Sequence, residues 1–174
     1  MVNNAVALAK AAKLFDVPVI LTTVAAQTFS GAMLPEIQAV FPDQAPIDRT
    51  TMNSWEDKMF NAAVTRFGRK KIVIAGLWTE VCVCFPAVDA IAEGYDVYVP
   101  TDACGDVTVE AHKRAVQRGI QAGVVPMTTL QVIFEWQRDG LIPRHMTDAW
   151  RSCERTPLWD RGAVREGDSR RGRR

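Results

Sequence analysis

The stretch Lys71-Ile-Val-Ile-Ala-Gly-Leu-Trp-Thr-Glu-Val-Cys-Val83 decides the fold. Its apolar run, Lys71 to Ala75, stops at Gly76, and from Glu80 a helical pattern continues to Glu93 before Gly94. A short, continuously apolar run bounded by glycine reads as a strand buried on both faces, as in a parallel sheet. Downstream the alternation repeats: a strand over Tyr95 to Val99, a helix capped by Thr108 and running through Ala122, a strand over Val124 to Met127, and a helix capped by Thr128 or Thr129 and running to Asp139. Upstream, Val2 to Phe15 has helical spacing that Pro18 ends, and Val17 to Thr22 predicts another buried parallel strand. Residues 24 to 48, with Gly31, Pro35, Pro42 and Pro46, predict a long irregular excursion with one short helix at Pro35 to Val40. Ser54 with Asp57 three residues later predicts a capping box, opening a helix that Gly68 closes. Strands alternating with helices imply a Rossmann-like three-layer α/β/α domain around a parallel sheet, over residues 1–140.

In such sheets ligands lie beyond the carboxyl ends of the strands. Three of these places are chemically loaded: Thr22-Thr23, Asp48-Arg49, and Gly76 to Val83. A strand that ends in glycine and turns into a helix puts Cys82 in the helix's first turn, where free N–H groups and the dipole favour a thiolate. The same N–H groups can hold an oxyanion that develops on an attacked carbonyl. Spacing alone leaves Cys82 open between an activated nucleophile and a buried structural thiol. Cys84 and Cys104 read as structural, and Cys153 as an exposed bystander. The cysteines show no C-x-x-C pairing, and with only His112 and His145 beside them a metal site has little support.

At 174 residues, 48% hydrophobic and 24% charged, the chain is an ordinary globular sequence, which excludes wholesale disorder and disulfide scaffolds. No apolar run is long enough for a membrane span and no secretory pattern opens the chain, so a cytoplasmic protein is expected. Net charge is +1, but residues 1–140 hold 12 basic and 15 acidic side chains, whereas residues 141–174 hold 9 Arg and 5 acidic ones. That second segment ends in Gly167-Asp-Ser-Arg-Arg-Gly-Arg-Arg174 and reads as an Arg-rich, mobile tail. Its final arginines have no interleaved aromatics, which argues against nucleic acid as a partner.

Ala75-Gly-Leu-Trp-Thr-Glu-Val-Cys-Val83 resembles the G-x-x-T-[DE]-x-C-V signature of the isochorismatase-like cysteine hydrolases. Val17 to Thr23, Met33-Leu-Pro-Glu-Ile, Pro46-Ile-Asp-Arg, Asn53-Ser-Trp-Glu-Asp, Phe85-Pro-Ala, Glu93-Gly-Tyr-Asp-Val-Tyr-Val and Thr101-Asp-Ala-Cys-Gly extend the resemblance to the YcaC-like branch, over about residues 2 to 139. The resemblance implies hydrolysis of a small amide or similar C–N bond through a thioester on Cys82. It implies that Arg49 orients and holds the charge of the catalytic pair, and that a cis peptide at Leu77-Trp78 aims the Trp78 and Cys82 N–H groups at the oxyanion. Thr79 and Trp55 are the implied substrate contacts, with a small-molecule substrate, no cofactor, no metal and a homo-oligomeric assembly. Nicotinamidase relatives carry Asp and His ligands after the second strand, and residues 23 to 48 contain no His.

Two departures accompany the matches. The family's first strand, an apolar run ending Val-Asp-x-Gln and carrying the general base, has no counterpart before residue 2, and the family pattern changes after Asp139. The sheet is therefore expected to lack a central strand and the site its carboxylate. A catalytically impaired family member kept for its oligomer contacts or basic tail is the competing reading.

Overall fold

The computed structural model describes residues 1–138. The expected tail therefore lies outside the described residues. Five short parallel strands alternate with helices: β1 Thr22–Val24, β2 Ile47–Arg49, β3 Lys71–Val73, β4 Asp96–Pro100 and β5 Val125–Met127. β1 pairs with β2, Thr22 opposite Ile47. β3 pairs with β4, Lys71 opposite Asp96, and β4 with β5, Tyr98 opposite Val125. Among the described residues these form two separate sheets, β1-β2 and β3-β4-β5, so β1 and β3 each keep one unladdered edge.

Side chains that alternate along β3 and β4 sort the helices into two layers. Ile72, Val97 and Val99 face a cluster with Val64 of α3 (Lys58–Phe67) and Ala87 and Ala90 of α4 (Cys84–Ala92). Val73 and Tyr98 face the other side, against Leu8 of α1 (Val2–Leu14) and Val132 of α6 (Thr129–Gln137). A short helix, α2, occupies Pro35–Gln38, and α5, Val109–Ala122, packs on α4. The result is the expected three-layer α/β/α arrangement around parallel strands.

The structure corrects the sequence reading in three places. The Val17–Thr22 run is mostly not a strand. Val17, Val19 and Ile20 are half-buried, and pairing starts only at Thr22. An apolar run becomes a buried strand only if both edges find partners, and here Pro18 has no N–H to offer and one edge has no described neighbour. Ser54 is not the cap of α3. Asn53 caps a short 3₁₀ turn, Ser54–Glu56, and Asp57 caps α3 by accepting the Phe60 N–H at 2.8 Å. Finally, Cys82 lies not in an α-helical first turn but in a π-helical one, Thr79–Val83, that leads into α4.

Candidate active site

Cys82 and Arg49 both follow or end parallel strands, Cys82 in the turn after β3 and Arg49 at the end of β2. After β3 the chain passes through Gly76, whose φ of 135° is a conformation open to glycine and strained for other residues. The Leu77–Trp78 peptide that follows is cis. The turn is fastened to the segment after β4. Gly105 donates its N–H to the Gly76 carbonyl at 3.2 Å, and its own carbonyl accepts from the Thr79 N–H at 2.9 Å. A Cβ at Gly105 would stand 2.9 Å from Leu77 Cδ2, so a larger residue there would push the Leu77 side chain aside. Glu80 N–H donates to Asp106 Oδ2 at 2.8 Å, fixing the next residue of the turn as well.

On this fastened turn the Cys82 side chain is half-buried, while Cys84 and Cys104 are buried. Burial raises the Cys84 thiol and pushes the Cys104 thiol up to about 11, since a thiolate loses its hydration in the interior. Both spend their sulfur hydrogens on carbonyls, Cys84 toward Ala115 at 3.7 Å and Cys104 toward Pro100 at 3.4 Å. Of the three described thiols, Cys82 alone is partly open to solvent.

Arg49, at the end of β2, is only 3% exposed. Its guanidinium donates to Thr22 Oγ1 at 3.2 Å, to the Met52 carbonyl at 2.8 Å and to the Thr51 carbonyl. No carboxylate pairs with it: the ion pair among the described residues is Arg114–Glu110, on the surface. Asp48 does not take that place. Neighbouring residues of a strand point to opposite faces, and the Asp48 carboxylate is held on the exposed side by Thr23 Oγ1 at 2.8 Å and the Ala26 N–H at 3.0 Å. A buried guanidinium that meets only neutral acceptors retains an uncompensated charge, which favours an anion beside it.

Trp55 and Thr79, the implied substrate contacts, are 5% and 1% exposed. Trp55 stacks edge-on with Phe60 and Tyr95 in the core beside Val83, and its indole N–H has no partner among the described residues. The Thr79 hydroxyl reaches the Gly105 carbonyl at 2.9 Å and His112 Nδ1 at 2.8 Å. Neither side chain presents much surface to a ligand, whereas Leu77 and Trp78 do, at 44% and 43%. Trp78 meets Phe29 of the loop after β1 edge-to-face, with ring centroids 6.5 Å apart. No contact between Cys82 and Arg49 is found among the described residues. Asp106 escaped the sequence reading and His112 figured there only as a possible metal ligand; the strand-end rule, applied to the segment after β4, would have drawn attention to Asp106. Among the described residues no three His, Cys, Asp or Glu side chains converge as a metal would require.

Residues 1–131 match the family model of the isochorismatase domain. The chain is 44% identical over 138 residues to the probable hydrolase YcaC of Escherichia coli (strain K12), covering 79% of this chain and 66% of that protein. It is 31% identical to isochorismatase family protein 2B of Dictyostelium discoideum, covering 62% and 55%. The chain thus spans two thirds or less of the length of these relatives. Among solved structures, YcaC from Pseudomonas aeruginosa with hexane-2,5-diol and covalent acrylamide superimposes with a TM-score of 0.76 at 39% identity, covering 79% of this chain and 68% of that one. The Escherichia coli YcaC gene product, an octameric hydrolase of unknown specificity, does so with a TM-score of 0.76 at 45% identity and the same coverage.

Proposed function

The chain belongs to the isochorismatase family, and from that membership we propose that it is a hydrolase of small amides or similar C–N bonds acting through Cys82. The observation that carries the reading is the place of this thiol: half-buried, on a helical turn after β3, in a segment fastened at Gly76, Thr79 and Glu80. In the proposed reaction the Cys82 sulfur attacks the carbonyl carbon and the C–N bond breaks, with the amine leaving as it takes up a proton. Water then attacks the thioester, releasing the acid and returning the proton to sulfur. Leu77, Trp78 and Cys82 are assigned to the turn that faces the oxyanion. The half-exposed Trp78 and its partner Phe29 bring the loop after β1 to the same rim. Thr79 and Trp55 serve substrate binding indirectly, as the buried backing of that turn.

Acrylamide joins covalently to nucleophilic side chains by conjugate addition, and the Pseudomonas aeruginosa relative holds it covalently, which is in keeping with a reactive nucleophile in that relative. Arg49 is assigned the charge-holding role. Its counterpart is a carboxylate, which also accepts the thiol proton and delivers it to the leaving nitrogen. We place that carboxylate on a further strand seated against the unladdered edges of β1 and β3, as the family resemblance implies. The test is hydrolysis across a panel of small amides by the chain and by its Cys82→Ser and Arg49→Ala variants. Cys82→Ser should abolish turnover, and Arg49→Ala should slow it by three or more powers of ten, the usual scale for one member of a cooperating triad. Turnover by Cys82→Ser equal to that of the parent chain would show that another nucleophile does the work.

A further inference from the structure

We propose that His112 is a positioning residue for the nucleophile turn, acting through the Thr79 hydroxyl; this rests on the assignment of Cys82 as nucleophile. The argument is one of proton counting. Thr79 Oγ1 has a single hydrogen and lies within bonding distance of two groups, the Gly105 carbonyl oxygen at 2.9 Å and His112 Nδ1 at 2.8 Å. A carbonyl can only accept, so the hydroxyl proton goes to Gly105. The contact to the imidazole is then a bond only if Nδ1 carries a hydrogen and donates it to Oγ1. The opposite arrangement would set the lone pairs of Oγ1 and the Gly105 oxygen against each other. The network therefore assigns the Nδ1–H form to His112.

This bond is not on a bystander. Thr79 is fully buried, opens the π-helical turn three residues before Cys82, and follows directly on the cis peptide. Its N–H and its hydroxyl both end on the same carbonyl, that of Gly105, so that without His112 the side chain is tethered from one side only. His112 supplies the second direction from the first turn of α5, which itself packs on the π-helical turn. α5 thereby sets the angle at which the turn presents the Cys82 sulfur. A leucine at 112 keeps bulk and loses the donor, whereas an asparagine can offer an amide N–H at the same branch point as Nδ1.

The experiment measures the rate of Cys82 alkylation by iodoacetamide in the full chain, by mass spectrometry, in wild type, H112L, H112N, T79V and the T79V/H112L double variant, with melting temperatures alongside. The wild type should alkylate Cys82 faster than the unfolded chain does. H112L should slow that reaction about tenfold, the scale of one lost neutral hydrogen bond. H112N should restore most of it, and the double variant should be no slower than T79V. Nitrogen-15 shifts of the imidazole should show the hydrogen on Nδ1. An activated Cys82 that reacts alike in wild type and H112L, or a hydrogen on Nε2 alone, overturns the role of His112 and leaves the nucleophile standing. A wild-type Cys82 no faster than in the unfolded chain removes the nucleophile and this role together.

Discussion

Residue by residue, the site contrasts an open thiol with a closed cation. The positions of Cys82 and Arg49 were legible in the sequence, because a Cys soon after a strand-ending glycine and an Arg at a strand end stand at the carboxyl edge, whereas their roles came from the family resemblance. Burial was not legible. Read from spacing, Arg49 could be a surface ion pair worth about 0 to 1 kcal/mol. Buried on three oxygen acceptors, it contributes to the fold as well. Arg49→Ala is therefore expected to lower stability by about 1 to 3 kcal/mol, measured by urea unfolding, as well as to slow turnover. Unchanged stability would mean that the guanidinium is held more loosely than these bonds indicate. The raised Cys104 thiol gives a second expectation. Its folded pKa of about 11 lies above the unfolded thiol's value of 9.0, so the unfolded chain ionises first. Stability contributed by the neutral, buried thiol is complete below pH 9 and is lost as pH rises through about 11, by an amount on the order of 2 to 3 kcal/mol. Comparing urea midpoints of wild type and Cys104→Ala between pH 8 and 11 isolates this from lysine and tyrosine titration. Parallel curves would show that the thiol is not desolvated.

Elements were legible where a local rule decides and obscure where a neighbour does. Thr108 caps α5 through the Ala111 N–H, and the Thr128–Gln131 box opens α6, because capping is settled within four residues. The same rule misplaced the start of α3. Ser54 and Asp57 fit a capping box by spacing, but Asn53 accepts the Trp55 N–H and the chain makes a 3₁₀ turn before Asp57 takes over. The two caps are separable by mutation. Asp57→Ala should cost about 1 kcal/mol of stability, as loss of an N-cap does, and Ser54→Ala distinctly less. A reversed order in thermal melts would return α3 to the longer helix expected from the sequence. The Val17–Leu21 run failed for another reason. Its five residues carry the composition of a buried strand, yet ladders are made by pairs, and nothing within the run tells whether both partners are supplied.

For the whole molecule, the unladdered edges of β1 and β3 make the strongest demand. β1 and β3 present backbone groups without described sheet partners, and half-buried Ile20, Ile72 and Ile74 lie against the adjoining core cluster. Exposed edges with apolar neighbours recruit other strands. The Escherichia coli relative is octameric, and we expect association here too. Copies of the chain can quiet one another's edges by pairing them, and such contacts are not bound to close. Multi-angle light scattering should therefore show species above the 19.3 kDa of one chain, in a distribution that grows with concentration. A dispersed monomer that stays so on concentration would show that the edges of β1 and β3 are content with solvent.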